Sequence, residues 1–172
     1  MRIIAGKHRG RVLCRFDGEK IRPTPDRVKE SLFQILEGRF HGARVLDLFA
    51  GSGALGLESM SRGAREAVFC DLDLTLVKKN LSLLKESATL LEGDYATCLK
   101  KARGQFDLIF LDPPYQSGVY ENALALILKE DKLEKNGLVV VESEREIPFP
   151  GYEKTDERFY GRVRIAILRR AT

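Results

Sequence analysis

Residues Val45 to Phe49 form a short apolar run that stops at Gly51-Ser52-Gly53-Ala54-Leu55-Gly56. The run reads as a buried strand, and the small apolar segment after it reads as a helix ending near Gly63. Glycines at 51, 53 and 56 fit the spacing G-x-G-x-x-G. That spacing gives a tight turn, lets backbone approach a nucleotide-like ligand and allows close helix–strand packing. A strand–turn–helix of this kind belongs in a parallel sheet, because the next strand must be reached by a crossover. The turn alone suits several nucleotide-like ligands.

The following residues repeat the alternation. Strands are expected at 45–49, 67–71, 89–91, 106–111 and 138–142, with helices at about 54–62, 74–86, 95–101 and 119–130. Phe106–Leu111 is nearly all apolar, as a central parallel strand should be. The tail departs from the pattern. Segments 153–160 and 163–168 flank Gly161 and read as an antiparallel hairpin. The fold class is therefore α/β, a mostly parallel twisted sheet covered by helices on both faces and closed by an antiparallel pair.

Ahead of this alternation, residues 2–14 read as a hairpin turning at Gly6 to Gly10. Arg22-Pro23-Thr24-Pro25 is extended, and Thr24 then caps a helix running to about Leu36. Residues 1–44 are expected to be an appendage on a domain spanning 45–172. Charge divides at the same place. Residues 1–44 hold 11 Lys and Arg against 5 Asp and Glu, whereas the remainder holds 18 against 20. A basic segment on a near-neutral body suggests a polyanionic partner.

The three cysteines, Cys14, Cys70 and Cys98, include no C-x-x-C pair. Their odd number argues against a disulfide framework or a zinc site and for a reducing compartment, with Cys70 a core residue. There is no apolar leader and no run long enough to span a membrane, so a cytoplasmic protein is expected. The size permits a monomer.

Candidate site residues collect at predicted strand ends, where open parallel sheets bind ligands. Asp71 lies 20 residues after Gly51 and suits the two hydroxyls of a ribose, with Asp73 a competitor. Asp94 either accepts from an exocyclic amine or caps the helix beginning at Tyr95. Asp47, inside an apolar run, needs a partner; it either orders the glycine loop or faces a cationic ligand. Asp112-Pro113-Pro114-Tyr115 is more specific. Its prolines fix φ and remove two N–H donors, leaving carbonyls facing outward from a rigid turn. A carboxylate on Asp112 and the carbonyl of Pro113 match the two hydrogens of a planar amine, and Tyr115 can stack on the ring that bears it.

At these residues the chain resembles the Rossmann-like class I S-adenosylmethionine-dependent methyltransferases that carry Asp/Asn-Pro-Pro-Tyr/Phe. More narrowly, it resembles the RsmD-type family through Arg22-Pro23-Thr24, Asp26-Arg27-Val28-Lys29-Glu30, Asp47-Leu48-Phe49-Ala50-Gly51-Ser52-Gly53 and Val141-Glu142-Ser143-Glu144. The resemblance implies methyl transfer to guanine N2 of bacterial small-subunit (16S) ribosomal RNA. It implies that Asp47, Phe49, Gly51, Ser52 and Gly53 hold the methionine part of S-adenosylmethionine. Asp71, with Leu72, would take the ribose, Asp94 and Tyr95 the adenine, and Thr24 would lie near the cofactor. Asp112, Pro113, Pro114 and Tyr115 would be catalytic, with no metal. Arg2, Lys7, Arg9, Arg11, Arg22 and Arg27 would contact RNA, presented within a small-subunit particle. Family members often have an aromatic in the N-terminal loop where this chain has His8.

Three other readings share parts of this pattern. A DNA adenine-N6 or protein glutamine methyltransferase would hold an amine in the same way. An NAD-dependent oxidoreductase also uses the glycine turn and an acid, but leaves Asp112 to Tyr115 without a role. A non-catalytic RNA-binding module would not need every motif position filled.

Overall fold

The computed structural model describes residues 1–15, 26–114 and 118–172. Its elements follow in chain order: α1 (Asp26–Ile35), β1 (Arg44–Leu48), α2 (Ala54–Ser61), β2 (Glu66–Asp71), α3 (Thr75–Leu84) and β3 (Thr89–Glu92). Then come α4 (Tyr95–Lys101), β4 (Phe106–Leu111), α5 (Val119–Lys129), β5 (Leu133–Ser143), β6 (Tyr152–Tyr160) and β7 (Val163–Arg170). Seven strands make one sheet in the order β3-β2-β1-β4-β5-β7-β6. The first five are parallel, and β7 runs antiparallel to both β5 and β6. The α/β class and the antiparallel tail are as expected from the sequence.

Period-2 patterning decides which helices cover which face. Leu46, Val68, Ile109, Val139 and Leu168 point to one side and pack on Leu99 of α4 and Ala123 and Ile127 of α5. The intervening residues Val45, Leu108, Val140 and Ile167 point to the other side, against Val28, Leu32 and Phe33 of α1. On that second side Ala67 and Phe69 meet Leu57 of α2 and Val77 and Leu81 of α3. Ile3 and Leu13 belong to the same cluster. The N-terminal segment closes through one antiparallel bridge, Arg2 with Val12, rather than through a long ladder.

Two differences from the sequence reading have physical causes. β5 begins at Leu133, five residues before the expected start at 138, because Phe106 pairs with Leu133 while Leu108 pairs with Leu138. The polar residues Glu134 to Gly137 are taken up in that irregularity, so no apolar run announces the early start. Cys70 and Cys98 form a disulfide across β2 and α4, which corrects the expectation drawn from the odd cysteine count. Cys14 is exposed and free, and the other two are brought together with Cα atoms 6.3 Å apart although 28 residues separate them in sequence.

Candidate active site at the carboxyl edge of the sheet

Strand order reverses between β1 and β4, the place where an open α/β sheet leaves a crevice. The glycine turn, Asp71, Asp94 and Asp112 all lie at this carboxyl edge. Phe49 leaves β1 with φ 81°, and its N–H and that of Ala50 both donate to the Cys70 carbonyl, at 3.0 and 2.9 Å. Gly51 and Gly53 follow with φ 60° and 85°, values that favour glycine. Gly53 caps α2, so the helix N-terminus opens on the turn. Gly56 sits where a Cβ would come within 2.4 Å of the Phe69 ring, which is why the third glycine of the spacing is needed.

The acids divide by role. Asp47 is buried, and its Oδ2 accepts the Gly56 N–H at 3.0 Å. It therefore orders the glycine turn. Burial pushes its carboxyl up to about 7, against the lowering effect of that N–H, and nearby Asp71 adds to the rise. Asp71 is half-buried; its Oδ2 accepts from Gly51 N–H at 2.7 Å and its Oδ1 from Leu72 N–H at 2.7 Å. Each oxygen retains acceptor capacity for a hydroxyl. Leu72 beside it is 75% exposed, an apolar face turned to solvent at the crevice. Asp94 is the N-cap of α4 and accepts from Thr97 N–H at 2.8 Å and Thr97 Oγ1 at 2.9 Å. Those bonds hold its carboxyl below the usual range. Asp73 Oδ1 accepts from Thr75 N–H at 2.9 Å, just ahead of α3, whose N-cap is Leu74. Tyr95 and Phe49 meet at 5.6 Å between ring centroids and make an aromatic wall.

Asp112 immediately follows β4. Leu111 pairs with Val141, so the ladder carries Asp112 beside Glu142. The two carboxyls lie close enough for each to oppose the ionisation of the other. Burial, then the charge of Glu142, then that of Asp47, raise the Asp112 carboxyl well above its ordinary value. Tyr120 of α5 closes this side. Its hydroxyl donates to the Glu142 carbonyl at 2.8 Å, and burial raises its pKa. Pro113 is buried and Pro114 exposed. Tyr115 lies outside the described residues, as do Arg22 and Thr24.

Glu142 is the partner that reading motifs one at a time did not single out. Its signal was available: an acid ending an apolar strand, as Asp112 does. Asn80 was also missed. It is fully buried in α3 and donates to the Ser52 carbonyl at 2.9 Å, bracing the glycine turn from behind. Ser52 itself is buried, with Oγ 3.4 Å from Met1 Sδ.

The basic residues of the N-terminal segment gather elsewhere. Lys7 N–H donates to the carbonyl of Ser61, the last residue of α2, and Lys7 Nζ pairs with Glu86 at 2.5 Å. Arg11 donates to the Leu83 carbonyl at 2.9 Å. These partners end helices that run back from the crevice, so the turn carrying Lys7 and Arg9 sits at the amino edge of the sheet. It is about 12 Å, the length of α2, from the glycine turn. His8 is buried with Nε2 2.9 Å from Glu86 Oε1, and so holds the turn rather than offering a stacking face. Arg2 and Arg27 are exposed, the latter in the first turn of α1.

The site fits S-adenosylmethionine on three counts: a turn of left-handed glycines at a helix N-terminus, an acid, Asp71, with acceptor capacity to spare for hydroxyls, and an aromatic and apolar wall. Among the described residues no group of three or more His, Cys, Asp or Glu is placed to hold a metal ion.

Comparisons with known proteins agree with this geometry. The model of the family described as Conserved hypothetical protein 95 matches residues 1–169. Ribosomal RNA small subunit methyltransferase D of Haemophilus influenzae is 43% identical over 156 residues, covering 86% of this chain and 81% of that protein. YlbH of Bacillus subtilis, named as an rRNA methyltransferase, is 38% identical and covers 99% of both chains. A solved structure of yhhF from Escherichia coli, described as a methyltransferase, is 35% identical with a TM-score of 0.90, covering 100% of this chain and 98% of that one. On sequence, fold and site layout together, the chain belongs to the Conserved hypothetical protein 95 family, the RsmD-type methyltransferases.

Proposed function

We propose that this protein transfers a methyl group from S-adenosylmethionine to guanine N2 in small-subunit ribosomal RNA. The observation that carries the reading is the rigid Asp112-Pro113-Pro114 turn at the strand-order reversal, facing the crevice that the glycine turn opens. When bound, S-adenosylmethionine supplies an electrophilic methyl on a sulfonium. Asp47 and Asn80 keep the turn in shape for its methionine part. Asp71 takes the ribose hydroxyls, with Leu72 alongside. Asp94 and Tyr95 face the adenine, and Thr24 lies near the cofactor. Asp112 and the Pro113 carbonyl accept the two N–H groups of the guanine amine and aim the nitrogen lone pair. Tyr115 stacks on the base.

Orientation of this kind supplies roughly 7–11 kcal/mol of a barrier. Once methylated, the nitrogen sheds a proton readily, and the Asp112–Glu142 pair stands beside it to take one. Residues 1–44 and Arg2, Lys7, Arg9, Arg11, Arg22 and Arg27 contribute RNA contacts in this reading, with a monomer acting in the cytoplasm on a small-subunit particle.

The test is labelled methyl transfer into small subunits, free ribosomal RNA, DNA and protein, followed by nucleoside analysis. N2-methylguanine from ribosomal RNA is expected. N6-methyladenine, or label in protein glutamine, would overturn the substrate assigned. A thermal shift with NAD but not with S-adenosylhomocysteine would overturn the cofactor.

A further inference from the structure

The C-terminal hairpin places an aromatic ring and two cations on the same edge as Asp112. Ser143 of β5 pairs with Arg164 of β7, and Arg164 pairs with Phe159 of β6. Strands in a sheet lie about 4.8 Å apart, so Arg164 is about 10 Å and Phe159 about 14 Å along the carboxyl edge from Asp112. Phe159 is 58% exposed, and the Arg164 guanidinium sits over its ring at 5.1 Å. Arg162 is exposed in the connecting turn beside Gly161.

The two acids of β6 nearest the tip are paired within that strand, while Glu144 and Glu146 follow Ser143 on the neighbouring segment and are exposed. Asp156 pairs with Arg158, and Glu157 with Lys154 at 3.0 Å. The tip itself, residues 159–164, presents Phe159, Arg162 and Arg164 and carries no acid, so it offers two cations beside a stacking ring. An exposed phenylalanine on an edge hairpin gains nothing from burial here. By contrast Tyr160 on the adjoining position packs into the cluster around α1.

We infer that the β6–β7 tip, through Phe159, Arg162 and Arg164, is a single-stranded RNA contact surface that holds nucleotides flanking the target base. The inference rests on the proposed function for its choice of RNA. Planar guanidinium beside an aromatic ring suits an unstacked base, and both arginines suit the phosphates on either side. The strand that delivers a base to Asp112 crosses this tip within a few nucleotides. The Lys7 and Arg9 turn, at the opposite edge, is reached only by a more distant part of the RNA.

The experiment uses the full chain and a 16S ribosomal RNA transcript, with binding measured over a range of salt. Phe159→Ala should weaken binding roughly tenfold without changing the salt slope, the scale set by loss of one stacked base. Phe159→Tyr should restore it. Arg162→Gln with Arg164→Gln should flatten the slope of log K against log salt by about 1.4, or 0.7 per phosphate. Melting temperature and S-adenosylhomocysteine affinity should stay at the wild-type values in all three variants. Unchanged RNA affinity and slope would overturn the surface. So would a loss seen with assembled small subunits but not with free RNA, which would indicate a protein partner. Hairpin-dependent RNA binding by a wild-type protein that transfers no methyl would leave the surface standing and overturn the reaction proposed above.

Discussion

Asp112 and Glu142 act as a pair because neighbouring parallel strands end side by side and leave both carboxyls in one half-enclosed place. Two adjacent carboxylates cannot both ionise freely, so Asp112, also disfavoured in its charged form by burial, keeps its proton over a range where an isolated aspartate would have lost it. If Asp112 holds the substrate amine, Asp112→Ala should reduce methyl transfer at least about 10²-fold, the scale of a misplaced reacting group. S-adenosylhomocysteine affinity should change little, since the acid lies outside the glycine turn. A variant with near-normal turnover would remove Asp112 from the chemistry. Glu142→Gln tests the pairing itself. Asp112 is raised by burial and by the charge of Glu142, so turnover that needs ionised Asp112 should fall as pH is lowered through that raised value. Glutamine removes the charge and can donate to Asp112, both of which favour the ionised form. The acid limb of the rate profile should therefore move to lower pH. An unmoved limb in an active, folded variant would mean that Glu142 does not set the ionisation of Asp112.

At the scale of elements, the helix after the glycine turn is held by contacts that tolerate little change. A Cβ on Gly56 would meet Phe69 of β2 at 2.4 Å and approach Asp47 Oδ2 at 3.2 Å. Gly56→Ala should cost about 1–3 kcal/mol by overpacking, read in denaturant melts, and should weaken S-adenosylhomocysteine binding as the turn shifts. Adding Phe69→Leu should recover part of the stability, because the clash is with the ring. On the far side of α2, Glu58 is fully buried and binds Ile4 N–H at 2.9 Å, Ala5 N–H at 3.1 Å, Lys29 at 3.0 Å and Arg62 at 2.9 Å. Glu58→Ala strands Lys29 in the interior and should destabilise by about 3–5 kcal/mol in the same melts.

These two residues also mark what the sequence could and could not tell. Gly56 stands in a spacing with a known geometric purpose, and strands β1, β2 and β4 followed from apolar runs with sharp ends. Glu58 stands in an apolar helix where only Arg62, one turn on, is a local partner; Ile4, Ala5 and Lys29 come from 54 and 53 residues upstream and from α1. The Cys70–Cys98 bond and the Asp112–Glu142 pair were hidden for the same reason. Each joins residues that only the strand order or the packing of α4 on β2 brings together.

The whole molecule sums opposing titrations, and their balance gives its stability a predictable shape against pH. Glu66, Glu86 and Glu121 are held below the ordinary carboxylate range, by the Arg44 hydrogen bond, the Lys7 hydrogen bond and the Glu121 backbone N–H respectively. A lowered carboxyl contributes stability above its unfolded value of 4.5, and that stability is lost as pH falls through the folded value. Asp47 runs the other way. Its folded value, about 7, lies above its unfolded 3.8, so the folded state binds the proton more tightly. That contribution is complete below pH 3.8 and is lost as pH rises to about 7. Asp112 shares the sign. The slopes meet in the weakly acidic range, where the melting temperature should be highest. Asp47→Asn isolates the alkaline-side slope, since its amide oxygen can still accept from Gly56 N–H while it cannot ionise. The melting temperature of the variant relative to wild type should be higher at pH 8 than at pH 5, and the groups common to both proteins cancel in that difference. A difference that stays constant between the two pH values would mean that Asp47 is already ionised in the folded protein. The crevice would then present a fixed negative charge behind the glycine turn at every working pH, rather than one that appears as pH approaches neutrality.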